Sequence, residues 1–316
     1  MDVPYTLVAR SGRRLFYFIT AFAVVLLFKL FFFSNSIYAD VFVDEMGRKI
    51  EVKADPSRIV SLAPHLTEIL YDLGLGDRIV GVTQYSDYPE EAKSKPRIGS
   101  YVKLNIEKIV SLSPDLVVAT SDGNPKAVVD KLDELGIPVF VIKVGSIKDI
   151  YGNIRSISRV TGRAARGEEV AIALEKRINE MRKKVEGQKK LKVFFQLGAN
   201  PLYTASAGTF IDDLISMAGC INIAAEETVK YPAYSMEEVL KRNPDVIFTV
   251  LMGSQRGKKV RHLWEKWTSL EAVKNDRIYR IEPDIINRPS ARIADGLEAI
   301  VRKLYPHLFN DGGQAN

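Results

Sequence analysis

The chain has 316 residues, of which 46% are hydrophobic and 27% charged, values of a globular protein with room for two domains of ordinary size. Its formal net charge of +6 divides between two parts: residues 1–39 hold Arg10, Arg13, Arg14 and Lys29 against Asp2, which leaves +3 on residues 40–316. The remaining Lys and Arg are spread along segments such as Glu168–Lys190, which excludes the basic stripe of a nucleic-acid binder.

In chain order, three arginines precede a 19-residue apolar run from Leu15 to Phe33, broken only by Thr20 and Lys29. Polar Ser34-Asn35-Ser36 and then Ile37-Tyr38-Ala39 follow, the layout of an export signal. The run approaches the ~20 residues that cross a bilayer, so a retained membrane anchor is the alternative. Lys29 inside it favours a cleaved signal ending at Ala39. Both outcomes predict a periplasmic or otherwise extracytoplasmic location for residues 40–316.

Val41–Val52 alternates around Met46-Gly47 and predicts an edge hairpin. Arg58–Leu62, Ile79–Val82, Leu116–Ala119 and Val139–Ile142 are short continuous apolar runs, the pattern of parallel strands covered on both faces. Helices between them stop where expected: Thr67–Leu73 at Gly74, and Pro125–Leu135 at Gly136. Ile147–Glu186 is helical throughout, broken near Gly162, with an apolar stripe through Val170, Leu174, Ile178, Met181 and Val185. Strand signals resume at Lys192–Leu197, followed by a helix over Gly208–Ala218, strands at Val246–Val250 and Ile278–Ile281, and a last helix near Ser290–Tyr305.

Leu104–Val118 (LNIEKIVSLSPDLVV) returns 130 positions later as Tyr234–Phe248 (YSMEEVLKRNPDVIF). Each copy sets a polar residue (Asn105, Ser235) two positions before a glutamate (Glu107, Glu237) and closes on Pro-Asp (Pro114-Asp115, Pro244-Asp245). The repeat predicts two Rossmann-like α/β lobes joined by a long backbone helix. The expected boundaries are 1–39 for the leader, 40–146 for the first lobe, 147–190 for the connecting helices, 191–309 for the second lobe and 310–316 for a frayed tail. A cleft between the lobes is where a ligand would sit.

Chemistry-bearing residues are sparse. Cys220 is the only cysteine, and its apolar neighbours suggest a small buried thiol. The three histidines, His65, His262 and His307, show no metal-ligand spacing. His65, in the turn SLAPHLTE, is either a plain turn residue or a contact or axial ligand to a metal-centred cargo. Glu68, in the same helix start, is expected to support that helix N-terminus. No nucleophile elbow, phosphate loop or dinucleotide fingerprint occurs, so nothing requires an enzyme, a bound cofactor or a resident metal. Tyrosines are more telling. Tyr85, Tyr101, Tyr203 and Tyr231 fall in predicted loops of both lobes, where flat rings with one hydroxyl suit a large planar ligand. Scattered surface tyrosines are the bland alternative. Asp284-Ile285-Ile286-Asn287-Arg288, after the last strand, would add polar contacts. Asn105 and Ser235 suit N-caps, and Ser235-Met236-Glu237-Glu238 fits a capping box. Capping explains an acid at each helix start, whereas matched acids on two lobes suit docking onto a two-fold partner.

The stretches SLAPHLTEIL, GVTQYSDYP, LNIEKIVSLSPDLVVA, VFFQLGANPLYT, YSMEEVL and DIINRPSARI span about residues 58–300. They resemble the periplasmic cobalamin-binding (BtuF-like) proteins within the helical-backbone, class III solute-binding proteins of ABC importers. The resemblance implies a monomeric receptor that captures cobalamin in the inter-lobe cleft and delivers it to a permease dimer in the inner membrane. It places ligand contacts at Tyr85 and at Asp284–Arg288, and the family's two cleft tryptophans at Tyr101 and Tyr231. A neighbouring phenylalanine falls on Tyr203, a small residue on His65, and the docking glutamates on Glu107 and Glu237. The two Trp-to-Tyr exchanges keep an iron–siderophore or haem open as cargo. The family member's disulfide is absent, Ala218 standing where one cysteine would be. A membrane-tethered hydrolase, or an adaptor bridging membrane proteins, are the readings from other classes.

Overall fold

The computed structural model describes residues 39–251 and 261–309; the leader up to Tyr38 and the Gly-rich tail lie outside them. The first alternating segment forms the hairpin β1 (Ala39–Val43) and β2 (Lys49–Lys53). The continuous apolar runs then form two four-stranded sheets. One contains β3 (Ile59–Ser61), β4 (Ile79–Val82), β5 (Leu116–Thr120) and β6 (Val139–Ile142), in the order β4-β3-β5-β6. The other contains β7 (Lys192–Gln196), β9 (Ile221–Asn222), β11 (Val246–Thr249) and β12 (Ile278–Arg280), in the order β9-β7-β11-β12. Every pairing within both sheets is parallel. Counted from its own first strand, each sheet runs second, first, third, fourth. The α/β architecture is thus one topology used twice.

Both faces of these strands are buried, which is why their sequences read as unbroken apolar runs. In β5, Leu116 and Val118 join a large central cluster, while Val117 and Ala119 turn to a smaller cluster beneath α2 (Ile106–Ser111) and α3 (Lys126–Glu134). In β11, Val246 and Phe248 join the same central cluster, and Ile247 packs with Phe194 and Trp264 on the far side. One core is therefore continuous through both lobes, and each lobe adds a satellite core on its outer face.

The central cluster is closed by the connecting helices. The predicted helical region divides at Gly162, whose φ is +70°, into α4 (Ile147–Val160) and α5 (Ala164–Lys184). Ser146 and Asp149 form a capping box at the start of α4. α5 has 21 residues, about 31 Å at ~1.5 Å per residue. The two helices fold back on each other: Arg155 bonds Glu168 at 2.7 Å, and a Cβ on Gly167 would lie 2.0 Å from Ser158 Oγ. Ile150, Ile154 and Ile157 of α4 and Ala171, Leu174 and Ile178 of α5 enter the core, with Leu297, Ile300 and Val301 of the last helix, Ile293–Leu304.

The internal repeat is realised down to its dihedrals. Asn105 and Ser235 each cap a helix by accepting from the amide three residues on, Lys108 N at 2.7 Å and Glu238 N at 3.1 Å. Ser113 and Asn243, each before Pro-Asp, both adopt φ 44°. Asp115 and Asp245 then fasten the first strand of their sheet, through Ser57 and Arg58 in one lobe and Lys192 in the other. The capping box expected at Ser235 is half made, because the Glu238 carboxylate turns away to Arg242 at 2.6 Å. Cys220 is buried, and burial pushes its thiol up to about 11.

Candidate ligand-binding site

Parallel sheets open their ligand crevices at the carboxyl ends of their strands, where the order reverses about the first strand. A cavity of about 1120 Å³ lies there, walled by loops from both sheets. The first lobe contributes His65 at the start of α1 (Pro64–Asp72), Tyr85 after β4, Tyr101 before α2 and Asp122 after β5. The second contributes the start of α6 (Phe210–Met217), Lys230 and Tyr231, and Pro283, Asp284, Asn287, Arg288 and Pro289 after β12.

Tyr101 is fixed in place. Its hydroxyl donates to Asp122 O at 2.8 Å, and its ring lies where a Cβ on Gly123 would sit, 2.0 Å from Cε1. Gly123 is therefore required for this packing. Asn124 pins the same loop: its Nδ2 donates to Leu62 O at 2.9 Å and to Tyr101 O at 3.0 Å. Burial, Asp122 and Tyr231 raise the Tyr101 phenol, and burial and Asp122 raise Tyr231, so both stay neutral donors. Tyr85 and Tyr231 are 56% and 43% exposed, leaving ring surface for a ligand.

His65 and Asn287 line the cavity, and their Nε2 and Nδ2 atoms have no hydrogen-bond partner among the described residues; both atoms are closed off from water rather than open to the cavity. Such atoms are rare and costly in a native fold unless something else meets them. Burial, aided by the Arg288 charge, brings His65 down to about 3, so its imidazole is neutral at physiological pH. A neutral ring offers a lone pair to a metal or a hydrogen-bond donor.

Arg288 lines the cavity but is already engaged. It lies 3.1 Å from Glu68, 2.8 Å from Asp87 and 3.0 Å from Asp284, and donates to Tyr85 O at 3.1 Å. Glu68 also meets Arg292 at 3.0 Å and Ser290 Oγ at 2.5 Å. Glu68 thus does not serve its own helix N-terminus: it ties α1 to the chain that follows β12, across the seam between lobes. Burial raises the Glu68 carboxyl against the opposing pull of Ser290, Arg292 and Arg288. Burial opposes the Arg288 charge, yet its carboxylate partners outweigh that and raise it.

Of the residues named from sequence, His65, Tyr85, Tyr101, Tyr231, Asp284, Asn287 and Arg288 come together around the cavity. Three do not reach it. Tyr203 lies on β8 (Leu202–Tyr203), paired with β10 (Ala233–Tyr234), and its ring faces Gly198. Ile285 and Ile286 point into the core, where Ile286 is fully buried against Gly296. A strand–3₁₀ turn alternates its faces, so a five-residue contact segment offers only some of its side chains. Glu107 and Glu237 stand apart from the cavity, exposed in the first turns of α2 and α7 (Met236–Arg242). Asp122, Lys230 and Thr209 line the cavity and were not anticipated, although Lys230 adjoins Tyr231 in sequence.

The periplasmic binding protein family matches residues 59–285. The vitamin B12-binding protein of Vibrio cholerae is 36% identical over 244 residues, covering 77% of this chain and 87% of that one. The crystal structure of the periplasmic vitamin B12-binding protein BtuF of Vibrio cholerae matches with a TM-score of 0.71 at 34% identity, over 81% of this chain and 99% of that one. The periplasmic heme-binding protein RhuT of Roseiflexus sp. RS-1 matches with a TM-score of 0.72 at 27% identity, over 80% and 99%.

Proposed function

Because the chain belongs to the periplasmic binding protein family, we propose that it is an extracytoplasmic receptor that captures a corrinoid, cobalamin, and hands it to an ABC importer. Its lobes, residues 40–146 and 191–309 joined by 147–190, form the two walls. The observation that carries the reading is the set of tyrosine rings from both lobes, Tyr85, Tyr101 and Tyr231, around a cavity sized for a macrocycle. Tyr85, Tyr101 and Tyr231 stack on the corrin and its fringe, while Asn287, once its amide turns from its closed position, donates to a side-chain amide. Neutral His65, whose Nε2 is closed off in the empty protein, would turn its lone pair toward the metal centre of the cargo on loading. The metal belongs to the cargo, and the protein supplies binding and orientation. Glu107 and Glu237, one per lobe, dock on the permease dimer. The leader delivers residues 40–316 across the membrane, by cleavage or by remaining as an anchor.

Haem is the second reading, favoured by the likeness to RhuT. Calorimetric titration of the mature protein with cyanocobalamin and with haemin separates the two. We expect one-to-one binding of cyanocobalamin at micromolar protein or tighter; binding of haemin alone would replace cobalamin by haem.

A further inference from the structure

Resting on the corrinoid reading above, we propose that Lys230 is a specificity residue that meets the one peripheral anion of the ligand, its phosphodiester. The site thereby selects a near-neutral, amide-fringed macrocycle over a dianionic porphyrin. The charges at the cavity carry this inference. Arg288, the cation best placed in sequence for a carboxylate, is saturated by Glu68, Asp87 and Asp284 and has little left to offer. Asp284 is occupied in the same cluster, and Asp122 Oδ2 accepts from Val144 N at 2.7 Å. The walls are therefore compensated or acidic, and a ligand with two carboxylates would face both aspartates.

Lys230 differs. It is exposed at the cavity mouth, its carbonyl held by Ser206 N at 2.9 Å, and its ammonium makes no ion pair among the described residues. The side chain reaches from the second lobe to the loop of the first that precedes α4: a Cβ on Gly145 would lie 3.7 Å from its Nζ. The neighbouring carboxylate, Asp149, is turned to the amides of Gly145 at 2.7 Å and Ser146 at 2.8 Å. One uncommitted cation spanning the mouth suits one anion at the edge of a bound macrocycle. The phosphodiester of the cobalamin nucleotide loop is such a group, and it projects from the ring rather than lying in it.

The test compares cyanocobalamin, dicyanocobinamide (which lacks the nucleotide loop) and haemin against wild type, Lys230→Met and Lys230→Glu, at low and high salt. In Lys230→Met, cyanocobalamin affinity should fall about five- to tenfold, the scale of a partly exposed charge-assisted contact. It should fall further in Lys230→Glu, while dicyanocobinamide changes less than about twofold. The wild-type preference for cyanocobalamin over dicyanocobinamide should shrink as salt rises. Equal weakening of both corrinoids, or none for cyanocobalamin, overturns the role of Lys230 and leaves the corrinoid receptor standing. Tight haemin binding with neither corrinoid bound overturns both.

Discussion

The two lobes share a strand order and a helix–turn–strand unit, yet they present very different surfaces to the cavity. From the first come buried His65 and Tyr101, bonded to Asp122 and packed on Gly123, beside Tyr85, which is more than half exposed. From the second come Arg288, buried among three carboxylates, and the exposed Tyr231 and Lys230. The scaffold, by contrast, is held unequally in the two lobes. Asp115 accepts from Ser57 N, Ser57 Oγ and Arg58 N, whereas Asp245, among the described residues, accepts from Lys192 N alone. Despite the raising effect of burial, the Ser57 bonds hold Asp115 below the ordinary carboxylate range. A duplicated frame therefore sets where loops emerge, and the loops decide which side chains each wall presents.

The seam between the lobes is the first place to break this contrast. Glu68→Ala strips the buried partner from Arg288 and Arg292 and should cost about 3–5 kcal/mol in urea unfolding, with Glu68→Gln costing less. A loss below about 1 kcal/mol would mean that packing alone joins the halves. Docking tests whether the lobes are equivalent where the repeat is most alike. Reversal of both Glu107 and Glu237 to Lys should lower transport at least about tenfold, near 1.4 kcal/mol, with ligand affinity unchanged. Each single reversal should give an intermediate and similar loss; unimpaired uptake by the double variant would exclude the role. The smallest effect lies in the strand clamps. Asp115→Ala should destabilise by about 2 kcal/mol and Asp245→Ala by about 1 kcal/mol, following the bonds each loses. Equal values would erase the difference in how the two lobes are held.

Much of the frame was legible because burial on both faces writes continuous apolar runs, and because Asn105, Ser235 and the two Pro-Asp pairs mark the same turn twice. Gly162 showed the break between the connecting helices for a similar local reason: a left-handed residue ends a helix. What escaped was decided by distant partners. Glu68 looks like a helix-start acid until Arg288, Ser290 and Arg292 arrive some 220 positions later in the chain. Arg288 looks free to bind a ligand for the same reason. Tyr203 and the pair Ile285-Ile286 sit in segments adjoining the cavity, but only pairing with β10 and packing on Gly296 fix which way they face. The two-residue strands β8, β9 and β10 are too short to leave any periodic signal.

The uninterrupted central core, sealed where α5 passes within a methyl's breadth of Ser158, has a mechanical consequence. Jaws that share one body gape little through thermal motion, so the empty protein keeps nearly the shape that its cargo needs and gives up little entropy in loading. Unloading is then the harder half of the cycle. Under the docking proposed for Glu107 and Glu237, the force that spreads the walls would come from the transporter, pulling on the two ends at once.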